Sequence, residues 1–360
     1  MTKLLRAAVI GAGRMGSHHA RILASLPGVE LCAIIDHNAN KAARLAANYG
    51  AASGTDPQQL IGKIDCATIA APSSRHAEIG LLLLSAGISC LIEKPLALNE
   101  ADCRALIAAA RQNQAHLAVG HVERFNPAFI AAAEWLVGKQ IIAIDARRMN
   151  PGSNRILDND VISDLMVHDL DAIVYLVNRD QKRSIVQLAA QGICGVGSNL
   201  CDQAIVQMGF SPIDQKQNNG QNIMVSLAAS RITHNRVRDV SILTDQGLLQ
   251  VDYLAGQAKI FRSQEQDARS AKAGVTPIAA IRVEPLLIRA AEPLTLEMGQ
   301  FIRYLIAQNT KNPDRAASGS NSDSAPANGG GIGVTGEEAL ATLQAIWAIG
   351  VKIAEHKSIA

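Results

Sequence analysis

Apolar and polar positions follow two different rhythms along the 360-residue chain. Up to about residue 125, short β-rich runs ("RAAVIGA", "VELCAIID", "CATIAAP", "SCLIEKP", "AHLAVGH") alternate with Ala/Leu-rich stretches of helical period ("SHHARILASL", "KAARLAANYG", "AEIGLLLLSAG", "ADCRALIAAARQN"). Strands that are apolar throughout and separated by helices predict a parallel sheet with both faces covered. From about residue 140 the runs follow one another across turn residues: "QIIAIDARRM", "SIVQLAAQGI", "DQAIVQMGF", "NIMVSLAASRI", "RDVSILTDQGLLQVDYLAG". These predict an open antiparallel sheet, preceded by one helix over residues 161–177. A final helix covers "TGEEALATLQAIWAIGVKIAEH". The expected class is α/β followed by α+β, with one domain over residues 1–125, a second over 126–345, and 346–360 ending the last helix. Residues 312–331, rich in Ser, Asn, Gly and Ala, are expected to form a flexible loop.

Composition narrows the function classes. Apolar residues make up 48% and charged residues 18%, which suits two domains with cores large enough to need no staples. A formal charge of +2 gives no footing for nucleic acid or an anionic membrane. The longest apolar run, "IGLLLLSAGISCLI", is too short and interrupted to span a bilayer, and the N-terminus enters a strand without a cleavable signal, so a cytoplasmic location is expected. Six cysteines show no CxxC or Cys/His ligand spacing. Neither a disulfide nor a metal site is expected.

Three stretches carry candidate chemistry. In "VIGAGRMGSHH", Gly11, Gly13 and Gly16 form GxGxxG between a strand and a helix, enclosing Arg14 and Met15. The first glycine turns the chain, the second admits a pyrophosphate, and the third lets helix and strand pack closely, with the helix N-terminus offering N–H groups to the anion. Asp36, twenty residues past Gly16, ends the second strand, where a carboxylate accepts hydrogen bonds from ribose hydroxyls. It would repel a 2′-phosphate, so NAD is expected over NADP. A glycine turn alone can serve packing; the strand–turn–helix setting and Asp36 favour the cofactor.

"APSSRHAE" and "IEKP" follow the third and fourth strands, at the sheet edge where open α/β folds bind ligands. Lys94 precedes Pro95, which favours an extended backbone and a side chain continuing off the strand end. In a partly desolvated cleft beside a cationic ring, such an ammonium gives up its proton more readily and can accept or relay one. Pairing with Glu93 at the surface is the plainer reading. In "NRILDNDVISDLMVHDLDAI", a helix over 161–175 puts Asp164, His168 and Asp171 at i, i+4 and i+7 on one face. A carboxylate one turn before a histidine orients its ring for acid–base work, although such pairs are also common as structural features.

The glycine motif with Asp36, Pro72 with His76, "EKP" and Asp164-x3-His168-x2-Asp171 together resemble the Gfo/Idh/MocA oxidoreductases over nearly the whole chain. The resemblance implies an N-terminal Rossmann domain holding a nicotinamide cofactor, with Pro72, His76 and Glu93 among its contacts. It implies an open antiparallel sheet domain that covers the substrate and supports homo-oligomers, dimeric or tetrameric. Lys94 and His168 carry over as catalytic residues, either of them the base, with Asp164 a substrate or orienting contact. "GHVERFNPA" and "DLMVHDLDA" are similar to the branch containing UDP-N-acetylglucosamine 3-dehydrogenases. In that branch an aminotransferase acts on the 3-keto product, on the way to the 2,3-diamino sugar of lipid A. Arg124, Asn126 and Asp171 are then substrate contacts, and Arg147, Arg148 or Arg155 could pair with a diphosphate, although surface arginines are equally common. An inositol or other sugar dehydrogenase, and a non-catalytic NAD-binding sensor subunit, are the alternatives. The chain departs from the family pattern in its loop before the last helix and in "NDVIS", where many members have a Gly-Gly pair.

Overall fold

The computed structural model describes residues 4–151, 160–194, 200–214, 221–263, 281–311 and 331–357. The expected loop thus lies outside the described residues except for Gly331, as does Arg155 entirely. The first unit is built from β1 (Leu5–Ile10), α1 (Arg14–Ser25), β2 (Val29–Ile35), α2 (Ala39–Ala47), β3 (Ala52–Gly54), β4 (Cys66–Ile69), α3 (His76–Ser85), β5 (Ser89–Glu93), α4 (Glu100–Gln112) and β6 (Leu117–Gly120). After a 3-10 turn at Val122–Phe125 come α5 (Pro127–Trp135) and β7 (Ile141–Pro151). A π-turn at Ile162–Met166 leads into α6 (Val167–Asn178), and then β8 (Arg183–Cys194), β9 (Cys201–Pro212), β10 (Ile223–Thr233), β11 (Val237–Thr244), β12 (Gly247–Asp252), β13 (Gln257–Ser263) and β14 (Ile281–Pro285). The chain closes with α7 (Pro293–Lys311), β15 (Val334–Thr335) and α8 (Gly336–Lys357).

The first sheet has the order β15-β6-β5-β4-β1-β2-β3. Its strands are parallel except β15, which runs antiparallel to β6. β4 and β6 are buried throughout, as strands covered on both faces must be. Helix starts are set by side chains: Asn38 and Asn99 accept the backbone N–H groups of Lys41 and Asp102 at the N-termini of α2 and α4.

The chain divides into two compact units, residues 1–122 with 292–344 and residues 123–291 with 345–360. This corrects the expected boundaries, which gave residues 126–345 to a single second domain. The reason is apolar: Met298, Phe301, Ile302 and Leu305 of α7 join Val9, Ile22 and Leu23 in one buried cluster. Burying these side chains outweighs any tendency of α7 to stay with the strands that precede it.

The second sheet runs β14-β13-β12-β11-β7-β10-β9-β8. Its neighbours are antiparallel with one exception, since β7 and β10 pair in parallel. The exception is forced: β7 lies between β10 and β11, and these two run in opposite directions. Contacts from α5 to β12 and from α6 to β7 and β10 cover one face. The other face carries the register row Gln187, Gly209, Met224, Ala143, Leu243 and Leu248. Apart from Gly209, that row lines a groove of about 660 Å³, and Met224 is 71% exposed.

Candidate active site

In the first unit the glycine turn separates into parts that pack and parts that stay open. Gly11 has φ +100°, and a Cβ there would sit 2.5 Å from the Ala70 carbonyl oxygen. A Cβ on Gly13 would meet nothing within 4 Å. Gly13, Arg14 and Met15 are exposed, while Gly11 and Gly16 are buried. No side chain caps α1, and no acidic residue occupies its first turn, which leaves the helix N-terminus suited to a pyrophosphate. Asp36 receives the Ala12 N–H at 2.7 Å and the Asn38 N–H at 2.8 Å, which fixes its carboxylate beside the turn at the end of β2. An open backbone cradle, an uncapped helix and an adjacent anchored carboxylate fit NAD.

The remaining residues of this unit lie after β4 and β5. Pro72 is exposed, whereas His76 is buried, its ring nitrogens 2.8 Å from the Pro95 carbonyl oxygen and 3.0 Å from that of Ala71. His76 therefore braces the turn after β4 against the turn after β5, and its ring faces backbone rather than offering a cofactor contact. Glu93 accounts for half of the charged pair at the tip of β5. Its carboxylate lies 3.0 Å from Nε2 of His19, a fully buried side chain of α1. A Cβ on the neighbouring Gly120 would approach Glu93 to 3.1 Å, so β6 leaves room for it. Sequence reasoning missed His19, although its position between Ala20 and Gly16 on the buried side of α1 is readable from the helical period. Lys94, next in the chain, is half-buried, and its bond to Pro95 is cis.

In the second unit, Asp164 lies in the π-turn and His168 in the first turn of α6; both are half-buried in a run whose apolar neighbours are buried. Of the three residues expected on one helical face, Asp164 falls in the π-turn, and His168 and Asp171 fall in α6. Asp171, unlike the other two, is only 1% exposed. Asp171 instead receives Arg124, whose Nε and Nη2 donate to its two oxygens at 2.6 and 2.8 Å. The Arg124 guanidinium also lies over the Tyr175 ring, 4.8 Å from its centroid.

Arg148 departs furthest from expectation. It is 1% exposed, donates to both oxygens of Asp169 at 2.7 Å, and donates to Glu123 at 2.8 Å. It follows Ile144 and Ala146 on the buried side of β7, so its charge points inward rather than toward a diphosphate. Burial works to lower the Arg148 guanidinium, but Asp169 and Glu123 outweigh it and hold it above its ordinary value. Arg147 points to the other side and is paired with Asp239. Asn126 caps α5 through the Ala128 N–H and donates to the second oxygen of Glu123, which makes it a brace as well. Glu123 and Asp169 were not anticipated. Asp169 shares the helical stripe of Ala172, Ile173 and Leu176, and a carboxylate on such a stripe requires a buried partner.

No three His, Cys, Asp or Glu side chains stand together as a metal site among the described residues, and no described helix is long and apolar enough to cross a membrane.

Known proteins match this arrangement. The family described as an oxidoreductase family with an NAD-binding Rossmann fold matches residues 5–121. A UDP-N-acetylglucosamine 3-dehydrogenase of Acidithiobacillus ferrooxidans is 30% identical over 304 residues, covering 84% of this chain and 89% of that protein. A solved structure of the enzyme of that name from the same organism superposes with a TM-score of 0.79 at 27% identity, covering 97% of both chains. An inositol 2-dehydrogenase of Pseudarthrobacter chlorophenolicus is 29% identical over 189 residues, half of this chain and 56% of that one. The chain, with its NAD-binding first unit and its mostly antiparallel second sheet, belongs to the Gfo/Idh/MocA family of oxidoreductases.

Proposed function

We propose that the protein is a cytoplasmic, NAD-dependent dehydrogenase that oxidises the 3-hydroxyl of UDP-N-acetylglucosamine to the 3-keto sugar. The observation that carries this reading is the 30% identity, over 84% of the chain, to a UDP-N-acetylglucosamine 3-dehydrogenase. NAD, when bound, supplies the hydride acceptor. The backbone from Gly11 to Gly16 holds the pyrophosphate and Asp36 the adenosine ribose. Lys94 and His168 handle the hydroxyl proton, and Asp164 orients the substrate or the histidine. These roles suit side chains that are charged or titratable and half-buried, in contrast to the fully buried Asp171 and Arg148. The 3-keto product is the substrate class of an aminotransferase, which we place next in the reaction sequence, toward the 2,3-diamino sugar of lipid A.

The protein acts as a homo-oligomer in this reading, a dimer or tetramer. Support comes from the uncovered face of the second sheet, where Ile205 (50% exposed), Met224 and Leu243 leave apolar surface in solvent. Sedimentation of the purified protein tests it, and a monomer at micromolar concentration counts against it.

The function is tested by following NADH absorbance with UDP-N-acetylglucosamine, free N-acetylglucosamine and myo-inositol, each at saturating NAD. Activity confined to the nucleotide sugar supports the reading. Activity with inositol alone favours the second reading, an inositol dehydrogenase, for which the inositol 2-dehydrogenase match speaks. No turnover with any sugar, despite NAD binding, leaves a sensor subunit.

A further inference from the structure

Within the second unit, two carboxylates close to His168 in the chain are each gripped by an arginine. Asp169 lies one residue after it and Asp171 three after it, and each carboxylate takes two hydrogen bonds from one arginine, Arg148 and Arg124 respectively. Both grips trace back to the 3-10 turn Val122–Phe125: it contributes Arg124 directly and Glu123 as the second partner of Arg148. Glu123 is in turn held by Asn126 at 2.9 Å, at the start of α5. A continuous set of contacts therefore runs from the N-terminus of α5 through Glu123 and Arg148 to α6.

The fastening sits where the backbone needs it. Residues 162–166 form a π-turn, a geometry with looser packing along its axis than an α-helix, and it joins α6 at Val167. One residue more or fewer in that turn would rotate His168 and Asp164 away from their present directions. A bidentate guanidinium fixes both position and plane of the carboxylate it grips, so Arg148 on Asp169 sets the rotation of the first turn of α6. The side chains of the cluster are almost wholly buried (Arg148 2%, Asp169 5%, Glu123 11%), so water cannot replace a lost partner there.

We infer that Arg148 is a positioning residue, which through Asp169 and Glu123 locks the π-turn and the first turn of α6 in the register that presents His168 and Asp164. The inference rests on the proposed roles of those two residues. Arg148 touches neither substrate nor cofactor in this assignment.

The test uses the full chain saturated with NAD and compares the parent with Asp169→Asn, Arg148→Lys and the apolar replacement Arg148→Met with Glu123→Leu and Asp169→Leu. Asp169→Asn keeps the shape but loses one charged acceptor. Arg148→Lys keeps the charge but loses the fork. The apolar replacement removes Arg148 together with both carboxylates it grips, leaving Arg238 as the nearby charge, and thermal unfolding checks that the unit stays folded without the grip. Expected is a rise of about tenfold or more in amide hydrogen exchange confined to residues 160–172, with NAD affinity unchanged. The NMR titration of the His168 ring shifts. For the sugar that the parent oxidises, kcat falls about tenfold to a hundredfold, with KM changed far less and the pH profile displaced. Exchange and His168 titration like the parent's in a folded variant overturn the inference, and so does a rate loss that tracks only the unfolded fraction. If the parent oxidises no sugar, the proposed function fails, while exchange and histidine titration still decide whether Arg148 sets the register.

Discussion

A Cβ on Gly16 would lie 1.6 Å from the carbonyl oxygen of Gly11, two residues of one turn pressed together at the start of α1. Gly16→Ala is therefore expected to cost stability, at least ~2 kcal/mol, because backbone must move to relieve the overlap. Gly13→Ala meets open space and is expected to stay within about 0.5 kcal/mol of the parent. It should still weaken NAD binding about tenfold or more, since the added methyl occupies the pyrophosphate approach. Thermal unfolding together with cofactor titration separates the two, and a Gly13→Ala variant with undiminished NAD affinity would contradict the assigned cradle.

The carboxylate of Asp36 is anchored by the Ala12 and Asn38 amides and cannot swing away from a 2′-phosphate without breaking them. NAD is expected to bind at least about tenfold more tightly than NADP. Asp36→Ser should narrow that ratio mainly by loss of NAD affinity. Parallel titrations of both cofactors measure it, and equal affinities for the parent would sink the prediction.

Replacing Lys94 by Met, or His168 by Asn, should lower turnover about a hundredfold or more, the size expected for a positioned acid–base group. Both side chains are half-buried, so both variants should unfold near the parent temperature. NAD affinity should hold, because the pyrophosphate and ribose contacts are assigned to residues 11–16 and 36. Full activity in either variant removes that residue from the proton-handling pair.

Burial holds the thiols of Cys66, Cys90 and Cys103 in their protonated form, the last pushed up from 9.0 to about 11. A thiol whose folded value is raised contributes stability that is present below 9.0 and is lost as pH rises through about 11, because only the unfolded chain ionises readily in that window. The melting temperature should therefore fall between pH 9 and pH 11, and Cys103→Ala should flatten part of that slope. Native protein at pH 8 should leave all three thiols unalkylated by iodoacetamide, as read by mass spectrometry. Rapid labelling of Cys90 would show that the first sheet opens.

How much of this was readable beforehand depends on the distance over which each feature is decided. The glycine turn and Asp36 are local, and their spacing within one strand–turn–helix unit carries their structural meaning. The burial of Asp171, in contrast to half-buried Asp164 and His168, was not readable, because its partner Arg124 stands 47 residues away. Arg148 misled for a similar reason. Its partners stand 21 and 25 residues away, and in isolation "ARRM" offers two arginines without saying which faces inward. The alternation Ile144, Ala146, Arg148 did contain the answer once β7 was paired on both sides. The placement of α7 was beyond reach, since an amphipathic helix states that it has an apolar stripe and not which unit receives it.

That placement also bears on how the protein is made. The first 122 residues leave the ribosome long before α7, yet Val9, Ile22 and Leu23 are buried in a cluster that also needs Met298, Phe301, Ile302 and Leu305. β6 likewise waits for β15, at residues 334–335, before its free edge is paired. The cofactor-binding unit of the nascent chain therefore carries an uncovered apolar flank until α7 has been made, and an open strand edge until residues 334–335 follow.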